Sequence, residues 1–123
     1  MALPQANFVQ PVIMLSTAGT AVGNAVVVQG NPASDGSSTI ATGGTAQNLF
    51  SGAIPTNGYA VYNPDPTNDL WIYEGGTAVA NGTGCIRVVA NGGGYETPVG
   101  YAPFGVVSIV GAVTSQKFTA RKW

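Results

Sequence analysis

From Thr39 onward the chain is a succession of short runs, each closed off by Gly, Pro, Asn or Asp. Such runs are too short for helices that must bury a face, and several alternate with period two, the repeat of a strand with one side in and one side out. In the last run Phe118 and Ala120 oppose Lys117, Thr119 and Arg121, and earlier Ile86 and Val88 oppose Arg87. The strands expected are Thr39 to Thr42, Ala46 to Phe50, Tyr59 to Asn63, Leu70 to Tyr73, Cys85 to Ala90, Tyr95 to Thr97, Val106 to Val110 and Lys117 to Lys122. No window carries a 3.6-residue period with helix caps, and Thr77 to Asn81 is too short for more than a turn. Seven or eight strands at roughly ten-residue spacing specify an all-β chain, an antiparallel β-sandwich or small jelly roll, with residues 39–123 as its body.

The stretch 1–38 reads differently, as an extended N-terminal arm. Phe8 to Leu15 can form one strand, which Pro11 confines to an edge or splits. Ser16 to Asn24 is small, polar and Gly-rich, Ala25 to Gln29 is a short Val-rich strand, and Gly30 to Ser38 is a loop by composition. Phe8, Val9, Val12, Ile13, Met14 and Leu15 are too apolar for a disordered tail, so the expectation is an ordered arm that wraps its own subunit or reaches a neighbour. In the body, Asn63 to Asp69 is expected to be a rigid connection between neighbouring antiparallel strands, its prolines fixing φ and its Asn and Asp side chains closing local bonds. Asn91 to Gly94 is expected to be a tight exposed turn.

Charge is scarce: four Lys or Arg, five Asp or Glu and no histidine in 123 residues. A soluble domain carries charge at about a quarter of its positions. A compact monomer of this mass exposes roughly 6,100 Å², and surface so poor in charge is expected to be covered by other protein chains. The net charge of −1 attracts neither a phosphate backbone nor an anionic membrane, so no nucleic-acid or membrane partner is expected. Lys117, Arg121 and Lys122 read as a solvated strand face. Met1 to Asn7 has neither the basic start nor the long apolar run of a signal or anchor, which fits synthesis in a cytoplasm.

Chemistry is hard to place on this chain. Cys85 is the one cysteine, and without histidine neither a Cys-His nor a Ser-His nucleophile can be built, and zinc or copper sites are not expected. Asp65, Asp69 and Glu74 with Asn63 and Asn68 fail the calcium-loop spacing. Gly92 to Gly94 lacks the Lys-Ser/Thr pair of a phosphate loop. The expectation is no enzyme, no cofactor and no metal. The thiol of Cys85, next to Ile86, is expected to be buried. Most of the aromatic residues fall inside strands at alternating positions, which fits a core or subunit interface better than a sugar-stacking platform. Trp71 and Tyr73 share a face opposite Leu70 and Ile72, so this strand is expected to be covered on both sides, and Trp123 is expected to dock.

The segments GGTAQNLF, GYAVYNPDPTNDLWI, GCIRVVANGGGYETP and AVTSQKFTARKW, spanning Thr45 to Trp123, resemble a small module of tailed-bacteriophage structural proteins. In that module a strand ending in NP is followed by DLWI, an IRV strand, a Gly-rich YE(S/T)P segment and a C-terminal FTA(R/K)xW. The resemblance implies a β-rich virion component, and size, low charge and the apolar arm point to a capsid decoration (cement) protein. Its expected partners are the major capsid protein and further copies of itself, taken as a trimer, bound to the virion after synthesis in the host cytoplasm. The expected contact residues are Phe8, Val9, Val12, Ile13, Met14 and Leu15 in the arm and Trp71, Tyr73, Phe104 and Trp123 in the body. The competing readings are a tail, neck, baseplate or fibre-attachment subunit, and a glycan-binding β-sandwich.

Overall fold

The structure, a computed structural model, describes residues 33–123. Among them, nine short strands form two antiparallel sheets: β1 Ser34–Asp35, β2 Ser38–Thr39, β3 Gln47–Asn48, β4 Tyr59–Asn63, β5 Leu70–Glu74, β6 Ile86–Val88, β7 Gly93–Glu96, β8 Val107–Gly111 and β9 Lys117–Lys122. In sheet I, β1 and β2 lie along one edge of β9, followed by β4 and β7. Sheet II has the order β3, β8, β5, β6. The chain is an all-β sandwich, as the alternation implies.

The pairing is nested. β1 and β2 pair with β9, β3 with β8, β4 with β7, and β5 with β6, so the chain is one long hairpin wound on itself. Two further pairings, β4 with β9 and β5 with β8, join the winding into two sheets. Counting β1 and β2 as one interrupted strand, this is the eight-strand winding of a jelly roll. Every connection except β1 to β2 and β5 to β6 passes from one sheet to the other. The Asn63 to Asp69 connection is among these: it links β4 in sheet I to β5 in sheet II and does not join neighbouring strands. Alternation reports which side of a strand is buried, not which sheet holds it.

The inward side chains are those the period-two pattern selects. Tyr59, Val61, Phe118 and Ala120 from sheet I face Leu70, Ile72, Val88, Val107 and Ile109 from sheet II, with Ile40, Leu49 and Phe50 closing one side. Phe50 holds a left-handed backbone (φ 56). Its ring meets Tyr59 edge-on at 6.0 Å and lies over Gly36, where a Cβ would fall 2.4 Å from Phe50 Cδ1. That close approach is why the β1 to β2 interruption carries glycine.

Several boundaries differ from expectation. Of Ala46 to Phe50 only Gln47–Asn48 is strand, because the chain then turns through a short 3-10 helix, Leu49–Gly52, with left-handed Phe50 and Ser51; Thr39 to Thr42 is strand only at Thr39, and Cys85 to Ala90 narrows to Ile86–Val88. Ser34–Asp35 and Ser38–Thr39 pair with β9, so the end of the stretch assigned to the arm belongs to the sheet. These residues are polar and exposed, and backbone pairing with β9 holds them with no apolar face to betray it. Gly93 and Gly94 lie in β7 instead of a turn, and Tyr62 from β4 lies across Gly94, where a Cβ would come within 2.4 Å of its ring. An aromatic side chain from the neighbouring strand thus fills the space a glycine leaves.

Candidate functional site

Two features stand out on the surface. The first is the end of the sandwich where β4 begins, β5 ends and β8 begins. Residues 97–106 form a loop there, next to residues 49–58, and between them they expose Ile54, Val99, Tyr101 and Phe104, the last at 92%. Pro, Gly and one carboxylate hold the loop in shape. Gly100 donates its N–H to the Asn57 carbonyl (3.0 Å), and Gly75 donates to Val106 (2.9 Å). One edge of the Phe104 ring approaches Gly75, which adopts φ +85 and could not carry a Cβ without meeting Cδ2 at 2.7 Å. Beneath it, Glu74 accepts hydrogen bonds from the hydroxyls of Tyr59 and Tyr101. Burial, and then the bond to Glu74, pushes the Tyr59 hydroxyl far above the ordinary tyrosine range. The bond to Glu74, helped by desolvation, pushes Tyr101 up to about 12. Glu74 therefore ties the loop to the core and leaves Phe104 standing outward.

Trp123 docks beside this end, as expected. Its N–H donates to the Gly58 carbonyl (3.0 Å), and its own carbonyl accepts from Asn57 (2.9 Å). The indole packs over Gly58, where a Cβ would sit 3.1 Å from Cε2, and the Arg121 guanidinium lies 5.4 Å from the ring centroid.

Trp71 and Tyr73 point outward from sheet II, half-buried, while Leu70 and Ile72 are fully buried behind them. What covers Tyr73 is the chain's own loop, residues 75–85. That loop folds back so that Gly76 and Gly84 touch the tyrosine ring, and Ser108 Oγ accepts from the Ala78 N–H and donates to the Gly76 carbonyl, both at 2.7 Å. Trp71 lies further from the Phe104 end, beside Arg87.

The four body residues named from the sequence thus occupy three places: Trp71 and Tyr73 on sheet II, Trp123 on the sheet I side, and Phe104 at the end between them. Phe8, Val9, Val12, Ile13, Met14 and Leu15 lie outside the described residues. Sequence reasoning missed Ile54, Val99 and Tyr101, which share the Phe104 end. Their signal was there: apolar side chains set inside Pro- and Gly-rich connections have no strand face to fill. Cys85, expected to be buried, is half-buried, its sulfur accepting the Val79 N–H at 3.4 Å. Among the described residues no group of three or more His, Cys, Asp or Glu is placed to hold a metal. Compared with protein-family models, curated proteins and solved structures, the chain matches none. Fold and surface together define a jelly-roll sandwich with one stiffened, apolar end.

Proposed function

We propose that the chain is a non-enzymatic structural protein of a tailed-bacteriophage virion, a decoration (cement) protein that binds the assembled head lattice. The observation that carries this reading is the stiffened end with Phe104 exposed at 92% beside Ile54, Val99 and Tyr101. A large apolar side chain left in solvent gains nothing in the isolated molecule, and it gains roughly 1.5–3 kcal/mol when a partner covers it. The jelly-roll winding, which recurs in viral capsid proteins, supports the same reading at fold level. So do the sequence blocks, because NPDPTNDLWI, IRV and FTARKW supply strands of both sheets, β5, β6 and β9. The partner on the lattice is the major capsid protein, and copies of the chain associate around a local symmetry axis, as a trimer.

Copy number in purified particles tests the assignment. On the order of hundreds of copies per particle fits a lattice-wide decoration protein. A few copies in multiples of three or six would place the chain in a tail, neck or baseplate instead.

A further inference from the structure

The outer face of sheet II carries the second feature, away from the Phe104 end. It is a cavity of ≈ 400 Å³ with Trp71 and Ala112 among its lining residues, bounded by Asn68 and Asp69 from the β4 to β5 connection, Asn81 from the folded-back loop, and Arg87 from β6. The volume is in the range of small-molecule sites, roughly 300–1,000 Å³.

Its polar groups are held in place before any ligand arrives. Asp69 Oδ2 accepts from Arg87 Nε at 2.8 Å and lies 2.6 Å from Nη2, while Oδ1 accepts the Ala90 N–H at 2.8 Å. The guanidinium is thereby fixed over one face of the Trp71 ring, 5.9 Å from its centroid, so that a ligand meets indole and guanidinium side by side. Asn68 is pinned through its backbone N–H and its side-chain amide to Asp65 Oδ1, at 2.8 Å and 3.2 Å. Arg87 Nη1, the Trp71 indole N–H and the Asn81 side-chain amide have no hydrogen-bond partner among the described residues. The site therefore combines an indole with planar polar groups, several of whose atoms are unpaired among the described residues.

That combination selects its ligand class. The one cation is already paired with Asp69, so a phosphate or nucleic acid finds no net positive charge. The lone carboxylate has both oxygens engaged, which leaves no cation site. An extended apolar peptide would strand the amides and the guanidinium without partners. A pyranose ring presents an apolar C–H face that fits an indole and a rim of hydroxyls that both donate and accept, matching Arg87, Asn81 and Asn68 together. We propose that this cavity binds a neutral hexopyranose unit of an oligosaccharide. The site is separate from the Phe104 end, and the proposal does not rest on the virion assignment.

The test uses the full chain and three probes: maltohexaose, cellohexaose and chitohexaose. With Trp123→Phe, Trp71 is the sole indole, since the chain has two tryptophans. At least one probe is expected to shift its emission saturably. In saturation-transfer NMR, Trp71→Ala is expected to abolish the signal of that probe, and Asn81→Ala, at an exposed left-handed position (φ 58) and with its fold checked by thermal unfolding, to weaken affinity about tenfold. Absence of saturable binding with all three probes overturns the proposal, as does unchanged affinity in Asn81→Ala. Attachment to particles is expected to be indifferent to Asn81→Ala, which separates this site from the assembly surface.

Discussion

The two ends of the sandwich are fixed by opposite means. At one end the Asn63 to Asp69 turn is saturated with polar contacts. Asn63, fully buried, donates to the carbonyls of Asn68 (2.8 Å) and Val88 (3.0 Å) and accepts the Asp65 N–H, while Asp65 Oδ1 accepts the backbone N–H groups of Thr67 and Asn68. Gln116 adds a bond to the Asn68 carbonyl, and the β6 to β7 turn donates from Asn91 and Gly92 to Asp65 and Asn63. At the other end one carboxylate, Glu74, gathers two tyrosines and leaves Ile54, Val99 and Phe104 exposed. Polar residues turned inward lock the first end as part of the fold. The second turns its apolar side chains outward, where they add little to the stability of the isolated chain.

Asn63→Ala should have the largest effect. It removes the side-chain donor to the buried Val88 carbonyl and the acceptor of the Asp65 N–H, while the Asn68 carbonyl keeps its bond from Gln116, and a loss of about 3 kcal/mol in chemical denaturation is expected; a loss below about 1 kcal/mol would mean the polar end is not a stabilising lock.

The ends should also fail at opposite extremes of pH. Tyr59 and Tyr101 have folded values raised above the ordinary tyrosine value, so their contribution is intact below about pH 10 and is lost as pH rises toward and beyond 12. Tyr101→Phe should reduce that alkaline loss. Asp65, through the N–H groups of Thr67 and Asn68, and Asp69, through the Ala90 N–H and then Arg87, are held below the usual carboxylate range. Their contribution is intact above about pH 4 and is lost as pH falls through the depressed values. Asp65→Asn should flatten the acid limb of a stability-pH profile and leave the alkaline limb unchanged; both carboxylates are partly open to solvent, which screens them, so this effect is the smaller of the two.

Phe104→Ser should change stability least, by within about 0.5 kcal/mol, while reducing attachment to particles stripped of the protein. Equal binding by this variant would remove the Phe104 end from the contact surface.

Much of this fold could be read in advance, because burial leaves a period-two trace. Tyr59–Asn63 and Lys117–Lys122 occupy their expected bounds, and the Leu70 and Val106 runs shift by a residue. The failures come where that trace is absent. β1 and β2 are polar on both sides, and β7 opens on two glycines whose missing side chains are replaced by Tyr62 from the next strand. The exchange of strands between sheets has no local signature either. The surface was legible only in part: Phe104 is apolar in a loop, which a sequence can flag, but its neighbour Ile54 is brought beside it by tertiary structure. Asn68, Trp71, Asn81 and Arg87 come from separate segments, and folding alone makes them one cavity.

The nested winding also dictates an order of events. The innermost pair, β5 with β6, spans the short loop 75–85, and its closure costs little chain entropy. β9 sits between β1 and β2 on one side and β4 on the other, so sheet I has no continuous ladder until β9 enters. Sheet II can assemble before that point, with Leu70, Ile72, Val88, Val107 and Ile109 open on one face. During synthesis the emerging polypeptide thus passes through an interval in which half a core waits for its lid. Slow arrival of the final strand prolongs the time in which nascent chains can stick to one another.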